Sequence, residues 1–167
     1  FTQQCKNSRN ARNPGVVCVY LVVLSNLLAV QSTNAPEFFQ VILETNVDGG
    51  RACPLVINVT RWLAPNSTDR FWSMLNEEPS RFRNSAFYNV VQGSYIEFGL
   101  SGNPQLNTKI GQNTEQYDIP RVRNTAGAMA FLTLPLRSLS SQMAISLRDN
   151  PDFDHAMMAP FAKVVSG

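Results

Sequence analysis

Short runs of β-branched and aromatic residues, separated by turn signals, most strongly limit what this chain can fold into. The first two runs, residues 39–45 (FQVILET) and 53–59 (CPLVINV), flank the turn sequence NVDGG and predict a β-hairpin. Later runs of the same kind are residues 86–91, 94–99, 127–132, 142–147 and 161–165. Residues 64–76 instead have a helix start signal followed by apolar residues at helical spacing. About seven strands with few helices predict a closed β-barrel.

A different pattern precedes the strands. Residues 16–30 (VVCVYLVVLSNLLAV) are almost entirely apolar, and three basic residues come before them. A retained signal anchor, a cleaved signal peptide and a buried core helix all fit this layout. We predict a retained membrane helix, because residues 14–32 as one helix nearly span a bilayer with tilt or local thinning. The predicted organisation is a basic flank (1–13), the membrane helix (14–32), a linker (33–37) and one domain (38–167).

The basic flank also predicts an orientation. Lys and Arg next to a membrane helix stay on the cytoplasmic, stromal or matrix side, so the domain is expected on the opposite side of a single-pass membrane protein. The sequence leaves the organelle open. N-glycosylation sequons at Asn58 and Asn66 are consistent with a secretory lumen, although such sequons are frequent by chance.

Charge and composition argue against several kinds of partner. The formal net charge is only +2, and Lys and Arg are scattered, which is not the basic stripe of a nucleic-acid-binding protein. The three cysteines contain no CxxC pair, and the single histidine, His155, has no second ligand nearby in the sequence. We therefore expect no nucleic-acid partner, no metal and no cofactor.

Several motifs occur in an order that resembles the cyclophilin family of peptidyl-prolyl cis-trans isomerases. They are residues 41–45 (VILET), 64–65 (AP) with 70–71 (RF), 87–93 (FYNVVQG), 98–104 (FGLSGNP), 124–127 (NTAG), 141–142 (SQ) and 159–165 (APFAKVV). Each match is weak alone, but their occurrence in the same order as in the family is a strong signal. The resemblance implies the family's eight-stranded closed β-barrel with short flanking helices. A full barrel of this family runs on for one more helix and strand beyond the position of Gly167, and the sequence leaves open whether the chain continues there.

The family's catalytic site is altered in this sequence. Cyclophilins stabilise a twisted X-Pro amide with an arginine in the motif F-H-R-V-[VI]-P-G-F, and Asn89 stands at that position. Ser94 and Ala144 match two pocket phenylalanines. Glu97 matches a glutamine, and only Gln142 keeps its type. Losing each aromatic wall removes about 1.5–3 kcal/mol of burial, and losing the charged donor costs about 3 kcal/mol. We expect little catalysis.

Other residues of the predicted site have less specific roles. An arginine elsewhere could substitute for the missing one, and the candidates are Arg81, Arg83 and Arg137. None of them would restore the pocket walls. The residues expected to contribute to a remaining binding surface are Tyr95, Phe131 and Met143.

Three functions are compatible with this sequence. We predict a catalytically inactive cyclophilin-like domain that serves as a binding or structural accessory subunit of a membrane protein assembly, through both its helix and its barrel surface. The alternative is a membrane-anchored isomerase with weak activity. The third is peptide binding without turnover, in which the altered groove, including Tyr95 and Glu97, recognises another motif. Proline-containing peptides are also candidate partners. Assays of isomerisation, of peptide binding and of copurification with a membrane complex distinguish the three.

Overall fold

The computed structural model describes residues 16–20, 34–48, 51–77, 81–82, 85–110, 116–134 and 138–167. Within these ranges the fold is mainly β, with nine strands in one antiparallel sheet, three short α-helices and one 3₁₀ turn. The prediction of a mainly-β domain with few helices is confirmed.

The strands follow one another closely along the chain. They are β1 Val16–Tyr20, β2 Phe38–Asp48, β3 Arg51–Thr60, β4 Ser85–Ala86, β5 Asn89–Val91, β6 Tyr95–Phe98, β7 Ala128–Leu134, β8 Ser138–Ser146 and β9 Pro160–Ser166. The helices are α1 Pro65–Leu75, α2 Pro104–Ile110 and α3 Pro151–His155, and the 3₁₀ turn is Arg61–Leu63. The strand order in the sheet is β4-β1-β2-β3-β9-β7-β8-β6-β5, and the seven strands from β2 to β5 in this order curl into a half-barrel.

Strands β2 and β3 form the predicted hairpin. Their register pairs Phe38 with Thr60 and continues to Thr45 opposite Cys53. Alternate residues of β2 are buried, among them Val41 and Leu43, because successive side chains of a strand point to opposite faces. The face that carries these two residues is called the inner face below, and the opposite one the outer face.

Aromatic residues fill the inner face of the half-barrel. The ring of Phe161 on β9 is stacked on that of Phe131 at a centroid distance of 5.2 Å and lies 5.3 Å from that of Phe71 on α1. Helix α1 covers this core with Phe71 and Leu75, and the remaining space between the helix and the strands is too small for a water molecule. The interior is therefore a packed core and not a ligand cavity.

The start of α1 is held by a distant carboxylate. Asp118 accepts hydrogen bonds from the backbone N–H groups of Asn66 at 3.1 Å and Ser67 at 2.7 Å, and from the Ser67 hydroxyl at 2.8 Å. These N–H groups have no partner within the helix, so the carboxylate satisfies them. The contact fixes residues 116–120 against the helix.

The N-terminal segment differs from prediction where the structure describes it. Residues Val16–Tyr20 are a strand that pairs with β2 and β4, so these five residues are extended and not helical. The other residues of the predicted membrane helix lie outside the described ranges. In the ranges that are described, no helix is long and apolar enough to cross a membrane. The membrane anchor stays a prediction.

The end of the predicted linker is tied to the domain. The backbone N–H of Ala35 donates to Asp69 on α1 at 2.8 Å, and Arg61 pairs with both Asp69 and Glu37. Burial acts to raise the pKa of Asp69, but the hydrogen bonds from Arg61 and Ala35 and the charge of Arg61 outweigh it and lower this pKa. The chain just before β2 is therefore fixed against α1.

Candidate functional site

The strand register brings three of the predicted site residues into one row. Asn89 on β5 lies opposite Glu97 on β6, Glu97 lies opposite Ala144 on β8, and Ala144 lies opposite Ala130 on β7. Directly paired residues of antiparallel strands point to the same face. This outer row (Asn89, Glu97, Ala144 and Ala130) lies on the outer face, because the strand neighbours of Glu97, Ala144 and Ala130 pack in the core.

A tyrosine joins the row to Gln142. Gln142 lies two residues before Ala144 on β8, and its Nε2 donates to the hydroxyl of Tyr88 at 3.0 Å. The Glu97 carboxylate also influences the Tyr88 hydroxyl and raises its pKa. No role for Tyr88 was predicted from the sequence, although this residue stands in the FYNVVQG motif directly before Asn89. Its place beside the altered arginine position is the signal that could have identified it.

This arrangement changes the acidity of the phenol. Burial is the main cause that raises the pKa of Tyr88, and the nearby Glu97 carboxylate raises it further, while the Gln142 hydrogen bond acts in the opposite direction. The result is a pKa of about 12, against an ordinary value of 10.0. Tyr88 is thus a neutral hydroxyl donor at physiological pH.

Tyr88 is expected to ionise above the ordinary range of a tyrosine. In a pH-jump experiment on the full chain, read by tyrosinate absorbance before unfolding, its phase should be centred at about pH 12 and disappear in Tyr88→Phe. Glu97→Gln should move that phase toward lower pH, because a like charge is removed. Since the pKa is higher in the folded state, this residue adds no pH dependence to stability below pH 10 and lowers stability between 10 and about 12. If Tyr88→Phe instead removed a tyrosinate phase centred near pH 10, the contacts assigned to Tyr88 would be contradicted.

The other end of the row is covered. Ala144 is 1% exposed and packs with Ala130 and Met158 in a second, smaller cluster. The rings of Tyr95 and Phe153 close this cluster at a centroid distance of 5.0 Å. Where the resemblance implies an open aromatic pocket, the small Ala144 therefore lies beneath α3 and the residues that follow it.

Asn124 holds this cover in place. Its Nδ2 donates to Asp154 of α3 at 2.8 Å and to the carbonyl of Met158 at 2.9 Å. Asn124 belongs to the NTAG motif, so that motif fixes the cover over Ala144. The sequence analysis missed Phe153 and Met158, because only the folded chain brings them to β8.

Ser94 acts through its backbone. It lies in the turn between β5 and β6, where its N–H donates to the carbonyl of Val91 at 2.9 Å. Its own carbonyl accepts from the N–H of Leu147 at 2.8 Å. Ser94 therefore links the β5–β6 turn to the end of β8.

The structure does not bring Phe131 and Met143 to this surface. They are opposite each other on β7 and β8, 1% and 0% exposed, on the inner face. Only Tyr95 of the three predicted binding residues reaches the outer face. Phe131 and Met143 therefore act in the core and offer no area to a ligand.

Arg81, the described candidate for a substitute arginine, is engaged in other contacts. Arg81 is 0% exposed, and its guanidinium donates to the Glu77 carboxylate at 2.8 Å and to the Leu106 carbonyl at 2.8 Å. It is therefore not a substitute for the missing arginine. The other two candidates, Arg83 and Arg137, lie outside the described residues.

The two sequons differ in accessibility. Asn66 is exposed in the first turn of α1, whereas Asn58 is half-buried on β3 and accepts a hydrogen bond from Gln40 at 3.0 Å. His155 is exposed at the end of α3. In the described part of the chain, no three metal-binding side chains lie close enough together to hold an ion.

The outer row offers hydrogen bonding and negative charge. It presents the Asn89 amide, the Glu97 carboxylate and, beside them, the Tyr88 hydroxyl. Such a set suits a polar or cationic group better than a proline ring. No protein-family model matches the chain, and no curated protein matches its sequence.

Proposed function

We propose that residues 38–167 are a cyclophilin-like domain without isomerase activity, which serves as a binding or structural subunit of a membrane protein assembly. The observation that carries this proposal is the outer row. It has an amide where the family has its arginine and a covered alanine where the family has an aromatic pocket wall. The scaffold has been kept for another use.

The sheet supports a cyclophilin-like barrel. The two strands at the ends of the strand order, β4 and β5, are separated in the chain by only Phe87 and Tyr88. A short connection therefore joins the two ends of the curled sheet. Two motif glycines also have left-handed backbones that favour glycine, Gly99 with φ 105° and Gly127 with φ 82°.

The electrostatics of the row support the loss of catalysis. Stabilising a twisted X-Pro amide requires a donor that interacts more strongly with the transition state than with the planar amide. Glu97 in its charged form only accepts hydrogen bonds and cannot act as such a donor. For the weakly active alternative the Tyr88 hydroxyl is the candidate donor, because Tyr88 directly precedes Asn89 in the chain.

An isomerisation assay tests the proposal directly. The full chain in detergent micelles should not accelerate cis-trans exchange of a short X-Pro peptide beyond the uncatalysed rate. Tyr88→Phe is the matched control, because it removes the remaining donor without changing the ring. Acceleration by the natural chain that disappears in Tyr88→Phe would establish the weak isomerase instead.

The structural role has its own test. Chemical cross-linking in the native membrane, followed by purification under mild detergent, should recover the chain in a stoichiometric assembly. Glycan occupancy at the exposed Asn66 would place the domain in a secretory lumen. A chain that is monomeric in its membrane would contradict the role as an assembly subunit.

A further inference from the structure

We propose that the free edge of β5 accepts an extended basic segment of a partner protein as an added β-strand. This inference deepens the proposed function, on which it rests, by naming the surface through which the domain would contact its partner. It is carried by three features that β5 and its neighbours have among the described residues: an unpaired edge, an uncovered apolar residue and an acidic residue without a paired cation.

The first feature is the unpaired edge. In the described part of the chain, β5 is paired with β6 alone and stands at one end of the strand order. Edge strands present unpaired N–H and C=O groups that can pair with another extended chain. Strand addition uses these groups for affinity and alternate side chains for specificity.

The second feature is Val90. It lies opposite Ile96, which packs against the main core, so Val90 points to the inner face. Even so, Val90 is 62% exposed, whereas Phe98 on the same face of β6 is 1% exposed. The inner face is thus uncovered at this edge. An apolar residue on an added strand, opposite Val90, would cover it.

The third feature is the charge of Glu97. No basic side chain in the described ranges pairs with this carboxylate, whose neighbours are Tyr88 and Asn89. An added strand would lie two strand spacings from β6, about 10 Å, which a lysine or arginine and the glutamate can bridge together. A basic residue on the outer side of the added strand would therefore reach Glu97 across Asn89.

These requirements define the partner segment. A strand places successive side chains on opposite faces, so the segment needs an apolar residue for Val90 next to a basic residue for Glu97. Because β5 has only three residues, the paired segment is short and binding should be weak and salt-dependent. Such a contact suits one of several contacts in an assembly.

Two synthetic peptides test the proposal with the full chain in detergent micelles. One alternates valine with lysine, and the other alternates valine with glutamate. By fluorescence anisotropy the lysine peptide should bind saturably, and the glutamate peptide at least about tenfold more weakly. Glu97→Gln should reduce the lysine preference. Equal binding of both peptides would overturn the proposal.

A pair of valine variants tests the position. Val90→Lys places a charge on the edge and should abolish binding, whereas Val165→Lys should not. Val165 is the matched control because it is 51% exposed on β9, a strand paired on both sides. Bound lysine peptide should also slow hydrogen exchange of the amides of residues 89–91. Binding that is unaffected by Val90→Lys, or that leaves this exchange unchanged, would refute strand addition.

The outcomes separate this inference from the proposed function. If the domain accelerates isomerisation and also binds the lysine peptide through Val90, the edge site is supported and the proposed lack of isomerase activity is wrong. If the domain does not accelerate isomerisation and shows no Val90-dependent binding, the proposed inactivity is supported and the edge site is wrong.

Discussion

Replacing Gly99 with alanine is expected to prevent stable folding. Gly99 ends the FG motif with φ 105°, and an added Cβ would lie 2.2 Å from the carbonyl oxygen of Ser141 and 3.0 Å from Cε of Met143. The nearest atom is backbone of β8, so it cannot rotate away. Strain at this φ and the separation of β6 from β8 together should cost more than about 4 kcal/mol. Urea unfolding of the full chain measures this loss.

Gly93→Ala is the control for Gly99→Ala. Gly93 also has a positive φ, +67°, but an added Cβ there meets nothing within 4 Å. Only the left-handed backbone is then penalised, at about 1–2 kcal/mol. If the two variants lost similar amounts of unfolding free energy, this result would contradict the close approach of Gly99 to the β8 backbone.

Phe161→Ala is expected to have the second-largest effect. Phe161 is 0% exposed, on the inner face of β9 between β3 and β7, and its ring contacts those of Phe71 and Phe131. Removing the ring forfeits its burial and leaves a cavity that the packed strands cannot fill. The cost should be about 3–5 kcal/mol. Thermal or urea unfolding would report it as a lower midpoint.

Val165→Ala is the matched control on the same strand. Its side chain is half exposed, so truncation should change stability by no more than about 0.5 kcal/mol. If both variants lowered stability equally, β9 would not be oriented with Phe161 toward the core.

The strands were largely predictable because their signals are local. Residues 39–45 and 53–59 alternate between the two faces and flank a turn sequence, and they form β2 and β3. Residues 64–76 similarly predicted α1, since a proline at the start and apolar helical spacing are both read over a few residues. The short helices α2 and α3 have too few residues for a periodic pattern, so the sequence did not reveal them.

The alternation of side chains along a strand also shows that two of the predicted binding residues could not lie on the outer face. Met143 precedes Ala144 on β8, so the two side chains must point to opposite faces. Met143 could therefore not share a surface with Ala144. Phe131 follows Ala130 on β7 and is excluded from the outer row for the same reason.

Sequence alone predicted which residue types stand at the proposed site and where most of the strands lie. Asn89, Glu97 and Ala144 were identified by their places in short motifs, which require no knowledge of contacts. Only the tertiary structure decided their surroundings: the Tyr88 hydroxyl between Gln142 and Glu97, and the cover over Ala144. The physical reason is the distance along the chain between the residues that interact. Side-chain alternation is set by neighbouring residues, whereas cross-strand register depends on contacts between segments far apart in the chain.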